Sequence, residues 1–194
     1  MKAVYQSLIT FGVLCISFVL ISQSQAFADF TPATPDSTLV ATMTPTPTPV
    51  DYTMPYPGLL PDNPFYKLKT LRDRLVSLLI SNPSTKAQFD ILQADKRFAG
   101  AQMLWELRPS QKQLSLDTLS KADNYMEEAI GSIKNAKSQG MHYTDPAWQA
   151  LRSNRKHQEI LLQLQSEMGP NTTLMNESKR VASFITRIQS SFLQ

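Results

Sequence analysis

The chain has 194 residues, 42% of them apolar, with 19 basic and 16 acidic side chains. Thirteen prolines stand against six glycines, which argues against a fold built on glycine-rich phosphate loops, and the one cysteine, Cys15, argues against a disulfide scaffold. A formal net charge of +3 points away from nucleic acid as a partner.

The N-terminus reads as an export signal over residues 1–28. Lys2 supplies the positive start, Leu8 to Ile21 contain no charge, and Ala26 and Ala28 are the small residues that a signal peptidase reads, placing cleavage before Asp29. Fourteen residues rise about 21 Å as a helix, short of the roughly 20 residues a bilayer span needs. The second reading of the same run is an uncleaved anchor, a membrane tether through residues 8–21. Val13 and Leu14 before Cys15 lack the small residues of a lipoprotein site. Cleavage leaves no cysteine, so thiol catalysis and cysteine-bound metals drop out. The chain is therefore expected to be exported, as a secreted or cell-envelope protein.

Residues 29–57 form the next unit. Nine of the prolines fall between Pro32 and Pro64, and Thr44-Pro45-Thr46-Pro47-Thr48-Pro49 alternates strictly. Proline donates no backbone hydrogen bond, so this segment is expected to be a disordered Thr/Pro-rich linker with a reach of roughly 90 Å. It holds Asp29, Asp36 and Asp51 and no base, which leaves 18 bases against 13 acids, or +5, from residue 58 onward.

Beyond Gly58 the signals are helical, and residues 58–194 are expected to form one all-α domain, a compact bundle of about five helices. Asn63-Pro64, Asn82-Pro83 and Asp145-Pro146 each place a capping side chain before a proline that begins a helix without losing a hydrogen bond. Gly140 and Gly169 close helices. The predicted spans are 64–80, 83–107, 112–139, 146–168 and 172–193. In the second, Ala87, Ile91, Ala94, Phe98, Ala101 and Trp105 form one apolar stripe, and Phe89, Leu92, Ala99, Met103 and Leu107 form another. A helix apolar on two sides should be sandwiched, so the bundle is expected to be up-and-down and organised around it.

Leu60-Pro61-Asp62-Asn63-Pro64-Phe65-Tyr66, then Leu68-Lys69 and Leu71, then Ala94-Asp95-Lys96-Arg97-Phe98-Ala99 carry a resemblance over residues 58–107. They are similar to a family of exported bacterial proteins known as a domain of unknown function, number 5667. The resemblance implies a bacterial extracytoplasmic helical domain and no particular activity. An acid common in that family shortly after the arginine segment is replaced here by Gly100 and Ala101.

Candidate chemistry is sparse. Lys67, Lys69, Arg72 and Arg74 read as the solvated face of an amphipathic helix. Asp95, Lys96 and Arg97 interrupt the two-faced helix and, with His157 on the apolar side of the fourth, form the candidate interaction or structural polar cluster. Within it Arg97 is expected to pair with an acid such as Asp73, and His157 to sit beside Asn154. Glu127 and Glu128 point about 100° apart, the wrong geometry for a carboxylate dyad. His142 and His157 lack metal-ligand spacing. No catalytic residue, cofactor or metal ligand is assigned. The reading that results is a non-enzymatic cell-envelope module with a protein or cell-wall partner, the alternative being the membrane-tethered sensory ectodomain of a regulatory system.

Overall fold

The computed structural model describes residues 49–194, and nothing in them is strand. The signal segment with Ala26, Ala28 and Asp29, the apolar run 8–21 and the Thr/Pro stretch as far as residue 48 lie outside the described residues. Five helices follow: α1 (Tyr66–Leu79), α2 (Pro83–Leu107), α3 (Lys112–Ser138), α4 (Thr144–Met168) and α5 (Thr172–Phe192), with a short 3-10 turn at Pro109–Gln111. No helix among the described residues is long and apolar enough to cross a membrane.

Local chemistry explains most of the boundaries. Asn82 Oδ1 accepts from the backbone N–H of Ser84 and Thr85, with Pro83 at the first helical position. Replacing Asn82 by alanine is expected to cost about 1 kcal/mol, read as a lower urea midpoint at unchanged slope. Gly140 and Gly169 end α3 and α4 at φ +66° and +72°, a positive φ that only glycine adopts without strain. The expectation fails at Asp145: α4 starts at Thr144, so Asp145 lies inside the first turn, where it pairs with the exposed His142 instead of capping. Asn63 does bind the N–H of Phe65, but in a turn that precedes α1.

Four helices build the core. One apolar cluster joins Ala87, Ile91 and Ala94 to Met126–Ile133 of α3, Ala147–Leu151 of α4 and Phe184–Phe192 of α5. A second joins Phe98, Ala101 and Trp105 to Leu116–Ala122, Ile160–Leu164, and Leu174 and Val181. The early part of α2 thus meets the late part of α3, the early part of α4 and the late part of α5. That membership makes the four helices run up, down, up and down, as expected. The neighbours are α2 with α3 and α4, and α5 with α3 and α4.

Two expectations are corrected. The second stripe of α2 is not sandwiched between helices, since Leu92 and Leu107 are exposed. Its cover is the segment before α1, where a Cβ at Gly100 would lie 3.5 Å from Pro57 Cβ and 3.7 Å from Leu60. Residues 50–57, expected to belong to the linker, are strapped to the bundle. Val50 N–H donates to Glu159, Tyr52 OH donates to Asp95, and Pro57 is buried. Gly100 under this strap and Ala101 in the core leave no room for the acid common in the resembling family.

Candidate functional site: a buried polar layer and an outward-facing helix

Between the two apolar clusters each helix of the core places polar residues on its inner face. Asp95 comes from α2, Asp123 from α3, and Ser153, Asn154 and His157 from α4, all within 1% of complete burial, with Glu177 of α5 close to it. In the α2–α4 half both oxygens of Asp95 are engaged, while His157 Nδ1 and Asn154 Oδ1 have no partner in the described residues. Asp95 Oδ1 accepts from Ser153 Oγ at 2.5 Å and from His157 Nε2 at 2.9 Å, and Asp95 Oδ2 accepts from Tyr52 OH at 2.5 Å. The imidazole stacks on Phe98 with centroids 3.9 Å apart and planes 4° apart. Burial first and Asp95 second push the Tyr52 hydroxyl well above its ordinary range, so it stays a donor.

Serine, histidine and aspartate together invite comparison with a nucleophilic triad, but the geometry differs. Ser153 and His157 converge on one oxygen of Asp95, and His157 Nε2 lies 3.5 Å from Ser153 Oγ. The ring nitrogen that a base would turn to its nucleophile is given to the carboxylate instead. The arrangement is a hydrogen-bonded clamp between α2, α4 and the strap. Tyr52→Phe should cost about 1–2 kcal/mol by leaving Asp95 Oδ2 unpaired, and should speed hydrogen exchange at residues 50–57 more than in α2.

In the α3–α5 half Asp123 meets Glu177. Burial above all, then the neighbouring Glu177 carboxyl, pushes Asp123 up to about 9, opposed by Arg180, whose Nε lies 3.8 Å away. Neither Asp123 oxygen has a donor in the described residues.

The expected cluster of Asp95, Lys96, Arg97 and His157 therefore divides. Asp95 and His157 meet inside the bundle. Lys96 is half-buried on α2, and Arg97 faces the other way. Its Nη1 donates to Gln93 Oε1 at 2.8 Å, its Nη2 to Tyr125 OH at 3.1 Å, and its guanidinium stacks 4.0 Å from the Tyr125 ring centre. The ion pair with Asp73 does not form, because Arg72 holds Asp73 at 2.8 Å. The expected neighbour Asn154 also turns away, donating to the Ala150 carbonyl. Arg97 and Tyr125 line an open cleft of about 830 Å³ between α1 and α3, with Tyr66, Arg74 and Lys121.

The helix bordering this cleft is inverted. In α1 the one buried residue is Asp73, whereas Leu68, Leu71, Leu75, Leu78 and Leu79 are between 55% and 82% exposed. The expectation of a solvated basic face holds for Lys67, Arg72 and Arg74 but not for Lys69. Lys69 Nζ turns inward to the carbonyls of Pro57 at 2.5 Å and Leu59 at 3.3 Å, and burial pulls it down to about 8. Strap carbonyls outside any ladder need donors, and this lysine meets them, so the polar side of α1 faces the body.

Among the described residues no three His, Cys, Asp or Glu side chains gather as a metal site. What the architecture defines is a helical-bundle module with a polar middle layer and one displayed amphipathic helix. The chain belongs to the family described as Domain of unknown function (DUF5667), whose model matches residues 58–171, well past the resemblance read over residues 58–107. Neither curated proteins nor solved structures yield a match to the chain.

Proposed function

We propose that this protein is a non-enzymatic interaction module of the bacterial cell envelope, exported by its N-terminal segment and working through the displayed face of α1. The observation that carries the reading is the inverted helix. Five leucines on one arc facing water form a continuous apolar patch of the kind that marks a contact surface. The four-helix bundle supplies a rigid platform, and the strap and Lys69 fix the helix on it.

The test is a photo-crosslinking residue in place of Leu75 in the full chain, expressed in its own envelope. An adduct with a protein, wall polymer or lipid is expected at this position and not at Lys179 of α5. Equal labelling at both positions, or none at Leu75, would overturn the reading.

The second reading, a membrane-tethered sensory ectodomain, draws on the uncharged run from Leu8 to Ile21. Mass spectrometry of the mature chain separates the two, because Asp29 as the first residue removes the tether.

A further inference from the structure

We infer that the exposed face of α1 docks on an anionic lipid surface, an inference that rests on the interaction reading above and names its partner. At 100° per residue, Leu68, Leu71, Leu75, Leu78 and Leu79 occupy an arc about 100° wide. Exposed bases border this arc on both sides, Lys67 and Arg74 along one edge and Arg72, half-exposed and also paired with Asp73, along the other. The only acid of the helix, Asp73, is buried on the opposite side. A leucine arc flanked by bases alone is the pattern of a helix lying in a membrane interface, its apolar side among the acyl chains and its bases at the headgroups. The adjoining cleft keeps the same sign, with Lys67, Arg74, Arg97 and Lys121 against Asp62 and Glu128.

A second copy fits this face poorly. Antiparallel pairing through the leucines sets Lys67 and Arg74 against their own counterparts and Arg72 against Arg72, and parallel pairing sets one basic edge against the other. The apolar arc also stands on the outer side of a helix outside the bundle and has no walls. A planar apolar layer can cover such a ridge, whereas a partner helix needs a groove.

The apolar run Leu8–Ile21 will itself favour lipid, so the readout has to be local to α1. The full chain carrying Cys15→Ser and Leu75→Cys takes an environment-sensitive fluorophore at position 75, and a Lys179→Cys chain serves as control. With vesicles of phosphatidylcholine and phosphatidylglycerol, the label at 75 is expected to shift to the blue and to be quenched by spin-labelled acyl chains, while the label at 179 stays in water. Neutralising Lys67 or Arg74 to glutamine should weaken that response about fivefold each, and Leu71→Ser roughly tenfold, with the unfolding temperature unchanged because these side chains are exposed.

Four results would overturn the inference. A chain that sediments with vesicles while position 75 stays in water is held by residues 8–21 alone. An equal shift on pure phosphatidylcholine removes the role of the bases. A concentration-dependent shift without vesicles identifies a second copy. No shift on vesicles combined with a protein adduct at Leu75 removes the lipid but leaves the interaction reading standing.

Discussion

Replacing Asp95 by alanine is expected to lower the free energy of unfolding by about 3–5 kcal/mol, enough to leave a typical domain of this size only marginally folded. The carboxylate is 1% exposed and receives three donors from two separate parts of the chain: Tyr52 of the strap, and Ser153 and His157 of α4. Removing it strands all three in a site sealed from water, and a buried donor without an acceptor costs more than the bond it had contributed. Asp95→Asn is the discriminating companion. Its side-chain oxygen still accepts from Ser153 and His157, and its amide can donate to the Tyr52 oxygen, so it should retain more than half of what alanine loses. Urea unfolding of both variants checks this. An alanine loss below about 1 kcal/mol would mean that water replaces the carboxylate and that the layer is not sealed.

The second large effect depends on pH. Asp123 is raised in the folded protein to about 9, chiefly by burial, from the ordinary aspartate value near 4 of an unfolded chain. Between these values the folded state holds the proton and the unfolded state releases it, so stability falls as pH rises through the window, by up to roughly 1.4 kcal/mol per unit. The protein should therefore be more stable at pH 5 than at pH 8. Asp123→Asn offers Glu177 an amide donor and removes the titration of position 123. It should be nearly neutral at pH 5 and stabilising at pH 8, where the folded wild type alone must hold a proton the unfolded chain releases. Parallel pH profiles of wild type and variant would refute the account. Glu127 is the opposite case: its bidentate bond to Arg187 holds it below the usual range, but both groups are about half exposed, and little stability follows from the pair.

Helix limits were legible in the sequence because they depend on local chemistry. Asn82-Pro83, Gly140 and Gly169 act within a turn of themselves, and periodicity located the core stripe of α2 residue by residue. The polar layer was only half legible. Asp95 and His157 stood out, but their meeting required knowing that α2 and α4 lie side by side in the same direction, which no spacing within one helix reveals. Glu177 left a trace: it fills the gap between Leu174 and Val181 at spacings of three and four, a position that periodicity assigns to the core. Asp123 likewise follows Ala122 inside the stripe of α3. Ser153 precedes His157 by one turn and shares its face. The inversion of α1 had no such trace. Its leucines follow a core-like period, and only the demand of the Pro57 and Leu59 carbonyls for Lys69 decides which side turns in.

The strap also determines how a pull on the N-terminus would be carried. The chain enters the folded body at Val50 and Tyr52, through bonds to Glu159 and Asp95, before it reaches α1. Tension arriving from residue 49 loads those two bonds and, through Asp95, the middle of the bundle. The leucine helix lies downstream of this clasp and stays unloaded until the clasp peels, so the displayed surface is mechanically insulated from whatever holds the other end of the chain.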